Sequence, residues 1–123
     1  MKFEEKLEQS KESYPFNKWR KGFDFGMVQY TDENCTKAKT IFDELIVALI
    51  SLGGGALEKD KVNKFEIAVV ALNNLNEECD DCLIETGERE ELCELVNKIS
   101  IAAGIEPGKY GCGEGLASEW RDW

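Results

Sequence analysis

The strongest constraint on the fold comes from residues 32–52, where apolar side chains recur every three to four positions, as on one face of an α-helix. Thr31 is a suitable N-cap, because its hydroxyl can accept a hydrogen bond from a free backbone amide. The three glycines at 53–55 would end the helix, since glycine readily adopts the left-handed conformation that closes one. Val47 and Ile50 fall outside the apolar face, so we expect this helix to be buried on most sides. The apolar positions are Ala38, Ile41, Phe42, Leu45, Ile46, Ala48, Leu49 and Leu52.

The same spacing predicts two further long helices. One covers about residues 58–78, and the other begins after Thr86 and ends at Gly104. Their apolar faces consist of Val62, Phe65, Val69, Leu72 and Leu75, and of Leu92, Leu95, Val96, Ile99 and Ala103. No stretch alternates apolar and polar residues for long enough to predict a strand. The predicted fold class is therefore all-α, a single domain over residues 1–123 with three core helices in a compact antiparallel bundle.

The two ends of the chain have less regular patterns. Residues 3–12 fit a short charged helix that Pro15 would stop. Residues 16–30 are rich in aromatic side chains without a clear period, and we expect an ordered connection that lies over the core. After Pro107, a glycine-rich loop leads to an amphipathic turn at 116–123, which we expect to dock on the bundle.

The charge balance excludes several classes of function. The chain has 15 basic and 25 acidic residues, a formal charge of −10, and no histidine. The negative charge repels a phosphate backbone, so no nucleic acid is expected as a partner. Without imidazole there is no Ser-His-Asp triad, no Cys-His dyad and no histidine metal ligand. We therefore expect no catalytic residue, no cofactor and no enzyme activity; the alternative is an enzyme that uses a carboxylate, for which Glu66 is the candidate.

The negative charge is concentrated in residues 77–94, here called the acidic segment. It holds nine acids against Arg89, a net charge of −8, whereas residues 1–30 carry a net charge of +1. Crowded like charges favour binding of a cation or a basic partner; the alternative is a solvated loop that promotes solubility. The partner-binding residues predicted here are Glu77, Glu78, Asp80, Asp81, Glu85 and Glu88.

The cysteines and the absence of long apolar runs indicate where in the cell the protein is located. Five cysteines cannot all pair with one another, and the first residues lack the apolar core of a secretory signal. We therefore expect reduced thiols in a cytoplasmic protein. The longest apolar run, residues 45–50, is too short to span a membrane, so no membrane partner is expected.

Cys79 and Cys82 have the Cys-x-x-Cys spacing of redox and zinc motifs. The two aspartates between them should raise the pKa of the thiols, which opposes redox chemistry. Zinc would need Cys93 and Cys112 as further ligands, because a structural site takes four. Structural cysteines without a metal are the preferred interpretation.

Three other clusters have two interpretations each. The glycine-rich residues 108–115 lack the ending of a phosphate-binding loop and are expected to be a flexible link. The basic cluster at 18–21 is too small for nucleic acid and can instead pair with the acidic segment, within a monomer or across a dimer. Within it, Trp19 should be a core or lid residue. Trp120 and Trp123 either close the core or anchor a subunit or partner interface.

Residues 85–93 read E-T-G-E-R-E-E-L-C, and residues 120–123 read W-R-D-W. With its E-T-x-x-R-E-x-x-C helix start and its tryptophan-bearing tail, the last third of the chain resembles a group of small bacterial cytosolic proteins of unknown function, several of which look like immunity-type or accessory proteins. The resemblance implies a bacterial source and a compact helical fold, and brings no catalytic residue. From the residues themselves, Thr86 is expected to be an N-cap and Arg89 to pair with Glu85 or a neighbouring carboxylate.

The preferred function is a non-enzymatic protein-binding or regulatory module, immunity- or inhibitor-like, whose acidic segment binds a basic protein. The alternative is a homo-oligomer, joined by helix 32–52, by the tryptophan tail or by contact between the N-terminal segment and the acidic remainder.

Overall fold

The computed structural model describes residues 2–123, which contain six α-helices and no β-strand. The helices are α1 (Phe3–Gln9), α2 (Phe16–Phe23), α3 (Asp32–Leu52), α4 (Glu58–Glu78), α5 (Thr86–Ala102) and α6 (Ala117–Trp120). Short 3-10 turns occur at Ser10–Ser13, Pro107–Lys109 and Gly111–Gly113. The predicted all-α bundle is confirmed. None of the helices in this described part is long and apolar enough to cross a membrane.

Helices α3 and α4 form the antiparallel hairpin around which the other elements pack. Of all pairs of elements, these two helices have the most extensive contact. Helices α1 and α2 contact α3, α6 contacts α4, and α5 contacts both α1 and α6. The buried apolar side chains of all these helices form one core. The opposite side of the α3–α4 hairpin carries exposed apolar side chains.

The ends of α3 lie where its sequence signals predict. The Thr31 hydroxyl oxygen accepts a hydrogen bond from the Asn34 amide at 3.1 Å, and Gly53 follows the helix with φ of 82°. The prediction that α3 is buried on most sides is wrong, because only one of its faces packs on the core. Val47 is 59% exposed and Ile50 is half-buried.

The start of α5 differs from its prediction. Glu85 occupies the N-cap position with an extended backbone, and no side chain caps the helix. Thr86 is already the first helical residue and is exposed. The N-cap prediction for Thr86 is therefore wrong, because the backbone leaves the extended conformation one residue earlier than expected.

The first half of residues 16–30 is helix α2 and not an irregular connection. Phe16 and Trp19 lie on its buried face, with ring centroids 5.2 Å apart. Trp19 also packs on Tyr30 at 5.4 Å, and Phe16 on Phe42 at 5.8 Å. This aromatic cluster fixes α2 against α3, and Trp19 is a core residue as expected.

Lys61 is a buried cation that joins three segments. Its Nζ donates hydrogen bonds to the carbonyl oxygens of Gly54 at 3.0 Å and Ala103 at 2.9 Å, and lies 5.1 Å from the centroid of the Phe3 ring. The ammonium thereby contacts the α3–α4 turn, the end of α5 and the first turn of α1. Its aliphatic stem belongs to the buried face of α4.

The tail after Pro107 docks on the bundle. The Asn73 side chain donates to the Trp120 carbonyl at 2.9 Å and accepts from the Asp122 amide at 3.1 Å. Trp123 is only 8% exposed and belongs to the core. Gly115 approaches α5 so closely that a Cβ there would lie 2.0 Å from Asn97 Oδ1, and its φ of +119° is one that side-chain-bearing residues rarely adopt.

Candidate functional site

The loop between α4 and α5, in the acidic segment, is held by hydrogen bonds with Asn76 and Tyr30. Asn76 is 3% exposed, and its side-chain Oδ1 accepts a hydrogen bond from the Ile84 amide at 2.9 Å. Its main-chain carbonyl oxygen accepts one from the Asp81 amide at 2.8 Å. The Tyr30 hydroxyl donates to the Leu83 carbonyl at 2.8 Å from the other side. These contacts give the loop a fixed shape although its aspartates are exposed.

Three carboxylates of the acidic segment form ion pairs with lysines. Glu78 pairs with Lys37 at 3.8 Å, Glu94 with Lys98 at 3.5 Å, and Glu91 with Lys18 at 3.0 Å. Within residues 2–123, the remaining six make no ion pair shorter than 4.0 Å. They are Glu77, Asp80, Asp81, Glu85, Glu88 and Glu90. Most of the charge in the segment is therefore uncompensated by the chain itself.

Glu91 joins the basic cluster to the acidic segment. One carboxylate oxygen accepts a hydrogen bond from Lys18 Nζ at 3.0 Å, and the other accepts from Trp19 Nε1 at 3.1 Å. The hydrogen bond to Glu91 raises the pKa of Lys18. The expected pairing within one monomer is thus observed for Lys18. Arg20 instead pairs with Asp32.

A cleft of about 550 Å³ opens beside this loop, between the end of α4, the first turn of α5 and the tail. It is lined by Asn76, Glu77, Asp81, Ile84, Arg89, Asp122 and Trp123. Three of these residues, Glu77, Asp81 and Trp123, were predicted from the sequence to bind a partner. The cleft also brings together the two parts of the E-T-x-x-R-E-x-x-C and tryptophan-tail pattern, through Arg89 and Trp123.

Arg89 does not have the partner that the sequence predicts. Its backbone amide donates to the Glu85 carbonyl at 2.8 Å, but among the described residues its guanidinium makes no ion pair with Glu85 or another carboxylate. The Nε of Arg89 and the Nε1 of Trp123 are both buried, and neither has a hydrogen-bond partner among residues 2–123. The predicted Arg89 ion pair is therefore wrong, and the side chain lines the cleft instead.

The other predicted partner-binding residues lie outside the cleft. Glu78 faces α3 through its pair with Lys37, and Asp80 and Glu85 are exposed on the loop. Glu88 is half-buried near Tyr30; burial and this carboxylate raise the pKa of the tyrosine. Trp120 is half-buried, and its carbonyl is held by Asn73.

Four cleft residues were not predicted to bind a partner: Asn76, Ile84, Arg89 and Asp122. For Asn76 a signal exists in the sequence: it lies four residues after Leu72 and seven after Val69, on the apolar face of α4. A polar residue at such a position needs an internal hydrogen-bond partner. For Asp122 no comparable signal exists, because its place depends on how the tail docks.

The candidate zinc cysteines are not gathered into one site. Cys79 and Cys93 are half-buried, while Cys82 and Cys112 are exposed. Residues 2–123 contain no group of three or more His, Cys, Asp or Glu side chains placed to hold a metal ion. Burial raises the pKa of the Cys79 thiol, with Glu78 and more weakly Asp80 adding to the effect. Burial also raises the pKa of Cys93.

The candidate carboxylate for enzyme chemistry, Glu66, is exposed on α4 and lies outside this cleft.

Neither a protein-family model, nor a curated protein, nor a solved structure matches the chain.

Proposed function

We propose that this chain is a non-enzymatic protein-binding module that recognises a basic protein through the acidic segment, with the cleft as the recognition site. The observation that carries the proposal is the set of unpaired carboxylates beside a buried tryptophan. In keeping with the resemblance of residues 85–93 and 120–123, the role is that of a bacterial inhibitor or immunity-type protein.

The charge of the segment supports fast and oriented association. Unpaired surface carboxylates of one sign steer an oppositely charged protein and raise its association rate, and this effect weakens as salt is added. The acids that pair internally contribute less, because their charge is already balanced by Lys18, Lys37 and Lys98.

The cleft matches the side chain of a lysine or an arginine. Glu77, Asp81 and Asp122 offer carboxylates for its charged end, and Ile84 and Trp123 offer apolar surface for its aliphatic stem. Arg89 adds a condition, because the partner must also supply an acceptor for its guanidinium. A partner with a basic side chain next to an acidic group or a free carbonyl satisfies both requirements.

The loop contacts of Asn76 favour binding by fixing the carboxylates in advance. A loop that is already ordered loses less conformational entropy when the partner binds. Replacing Asn76 would therefore weaken binding by loosening the loop, even though its side chain is buried.

Two triple variants of equal charge test the proposal. One is Glu77→Gln, Asp81→Asn and Glu85→Gln. The matched control changes three exposed acids of the N-terminal region, Glu4, Glu5 and Glu12, to glutamine. Asparagine suits position 81, because it tolerates the left-handed backbone that Asp81 adopts with φ of 58°.

Each protein is immobilised and exposed to a lysate of the bacterium that encodes it, and bound proteins are identified by mass spectrometry. We expect one basic protein on the wild type and on the N-terminal control, released at high salt and absent from the acidic-segment variant. Equal capture by both variants, or capture that salt does not change, would contradict the proposal.

We also propose a cytoplasmic location for the complex, supported by five free thiols. Fractionation of the source cells followed by immunodetection tests it, and recovery from the periplasm or medium would overturn it.

A further inference from the structure

The outer side of the α3–α4 hairpin is an apolar face that no other element covers. Val47 of α3 and Ile67 and Val70 of α4 are 59%, 58% and 41% exposed. Two shallow grooves, of about 210 and 400 Å³, follow the seam between the helices and share Ile41 and Ala71. Exposed apolar side chains that cluster on one side of a protein mark an interaction surface more often than isolated ones do.

The charges along this seam are balanced, although the chain as a whole is acidic. Helix α3 contributes Lys37 and Glu44, and α4 contributes Lys64 and Glu78. The seam is therefore neutral in a chain whose formal charge is −10. Lys37 and Glu78 pair with each other at 3.8 Å, whereas Glu44 and Lys64 line the same groove and make no ion pair within residues 2–123.

We propose that a second copy of this chain covers the face, so that two α3–α4 hairpins form an antiparallel four-helix bundle. The arrangement is isologous, with a two-fold axis parallel to the helices. That axis places α3 of each copy against α4 of the other, and all neighbouring helices then run antiparallel.

Charge complementarity favours this occupant over others. Because Glu44 and Lys64 line the same groove from opposite helices, the two-fold axis brings Glu44 of one copy towards Lys64 of the second copy, and the reverse contact forms as well. The residues that line the two grooves offer a basic partner no net negative charge, and the acidic segment offers it a better surface. A second copy supplies both an apolar strip and the matching pair of charges.

The test is sedimentation velocity over a range of protein concentrations, with two single variants. Ile67→Glu places a charge in the centre of the face. Ile101→Glu is the matched control, because Ile101 is 65% exposed on α5, outside the face. We expect a dimer for the wild type and for the control, and a dissociation constant raised about tenfold or more for Ile67→Glu, because an unpaired charge must be buried.

Both positions are exposed, so circular dichroism should show unchanged folding in each variant. A wild type that stays monomeric at every concentration, or a dimer that Ile67→Glu leaves unchanged, overturns the proposal.

A charge exchange tests the orientation of the two copies. Glu44→Lys and Lys64→Glu should each weaken the dimer, and the double variant should restore it, since both contacts are then formed with reversed sign. No restoration would overturn the proposed axis. The acidic-segment triple variant should dimerise like the wild type, so loss of partner capture and loss of the dimer are separate results.

Discussion

The Nζ of Lys61 lies 2.9 Å from the carbonyl oxygen of Ala103, the residue that follows the last turn of α5. The final carbonyl groups of a helix have no partner within the helix and attract positive charge. Lys61 supplies both a hydrogen bond and a charge there, and its second hydrogen bond holds Gly54 in the turn between α3 and α4.

Replacing Lys61 with methionine should lower the free energy of unfolding by about 1–3 kcal/mol, because two carbonyl groups lose their donor while the apolar stem is kept. Urea denaturation followed by circular dichroism measures the change. Lys59→Met is the control, since Lys59 is exposed and a surface substitution should change stability by less than about 0.5 kcal/mol. Equal midpoints for the two variants would show that Lys61 does not hold the helix end.

Replacement by alanine should change the stability differently at two threonines near helix starts. Thr31 precedes α3, and Thr86 is the first residue of α5. Thr31→Ala removes an observed capping bond and should cost about 1 kcal/mol. Thr86→Ala removes no capping bond and should change stability by less than about 0.5 kcal/mol. Thermal or urea unfolding of the pair decides the point, and a larger loss for Thr86→Ala would contradict the observed start of α5.

Gly115→Ala should loosen the tail. The positive φ and the short approach to Asn97 should together cost about 1–3 kcal/mol, as in other strained backbone positions. Gly108→Ala, which has open space and no positive φ, is the matched control. Both are measured by unfolding that is followed by tryptophan fluorescence. Identical stability of the two variants would mean that the tail is not held at Gly115.

The Tyr14 hydroxyl lies 2.9 Å from a carboxylate oxygen of Asp43, and Lys39 lies 2.9 Å from the other. Burial raises the pKa of Asp43, but the hydrogen bonds from Lys39 and Tyr14 outweigh it, so that the pKa lies below its ordinary value of 3.8. Ionised Asp43 therefore stabilises the fold above pH 3.8, and this contribution is lost as the pH falls through the lowered folded-state value.

Tyr14→Phe should move the pKa of Asp43 upwards, towards its ordinary value, and this is measured by NMR titration of the side-chain carboxyl carbon. Tyr110→Phe, whose hydroxyl binds Glu58, is the control and should leave Asp43 unchanged. An unchanged pKa of Asp43 in Tyr14→Phe would show that this hydrogen bond is absent in solution.

The long helices were predictable because local signals agree with the packing. For α3, apolar spacing, the Thr31 cap and the Gly53 stop all indicate the same bounds. The helix α2 was missed, although Phe16, Trp19 and Phe23 stand three and four positions apart. In so short a segment that spacing is ambiguous, and only the contacts with α3 make the helix stable.

The candidate site was only partly predictable for a different reason. The acidic character of residues 77–94 follows directly from the sequence, but whether an acid is free depends on distant elements. Glu91 is neutralised by Lys18, more than seventy positions earlier, while Glu77 stays unpaired. The cleft is lined by both Arg89 and Trp123 because the tail docks there, an arrangement that no local pattern encodes.

Gly115 offers a means of recognising distant relatives of this chain. A docked tail with this geometry needs glycine at that position, because any side chain would be strained there whatever its neighbours. Sequences that share the fold can change most of their surface acids freely, yet they should keep a glycine shortly before the terminal tryptophans. A glycine kept at this position can be used to align sequences whose overall similarity has been lost.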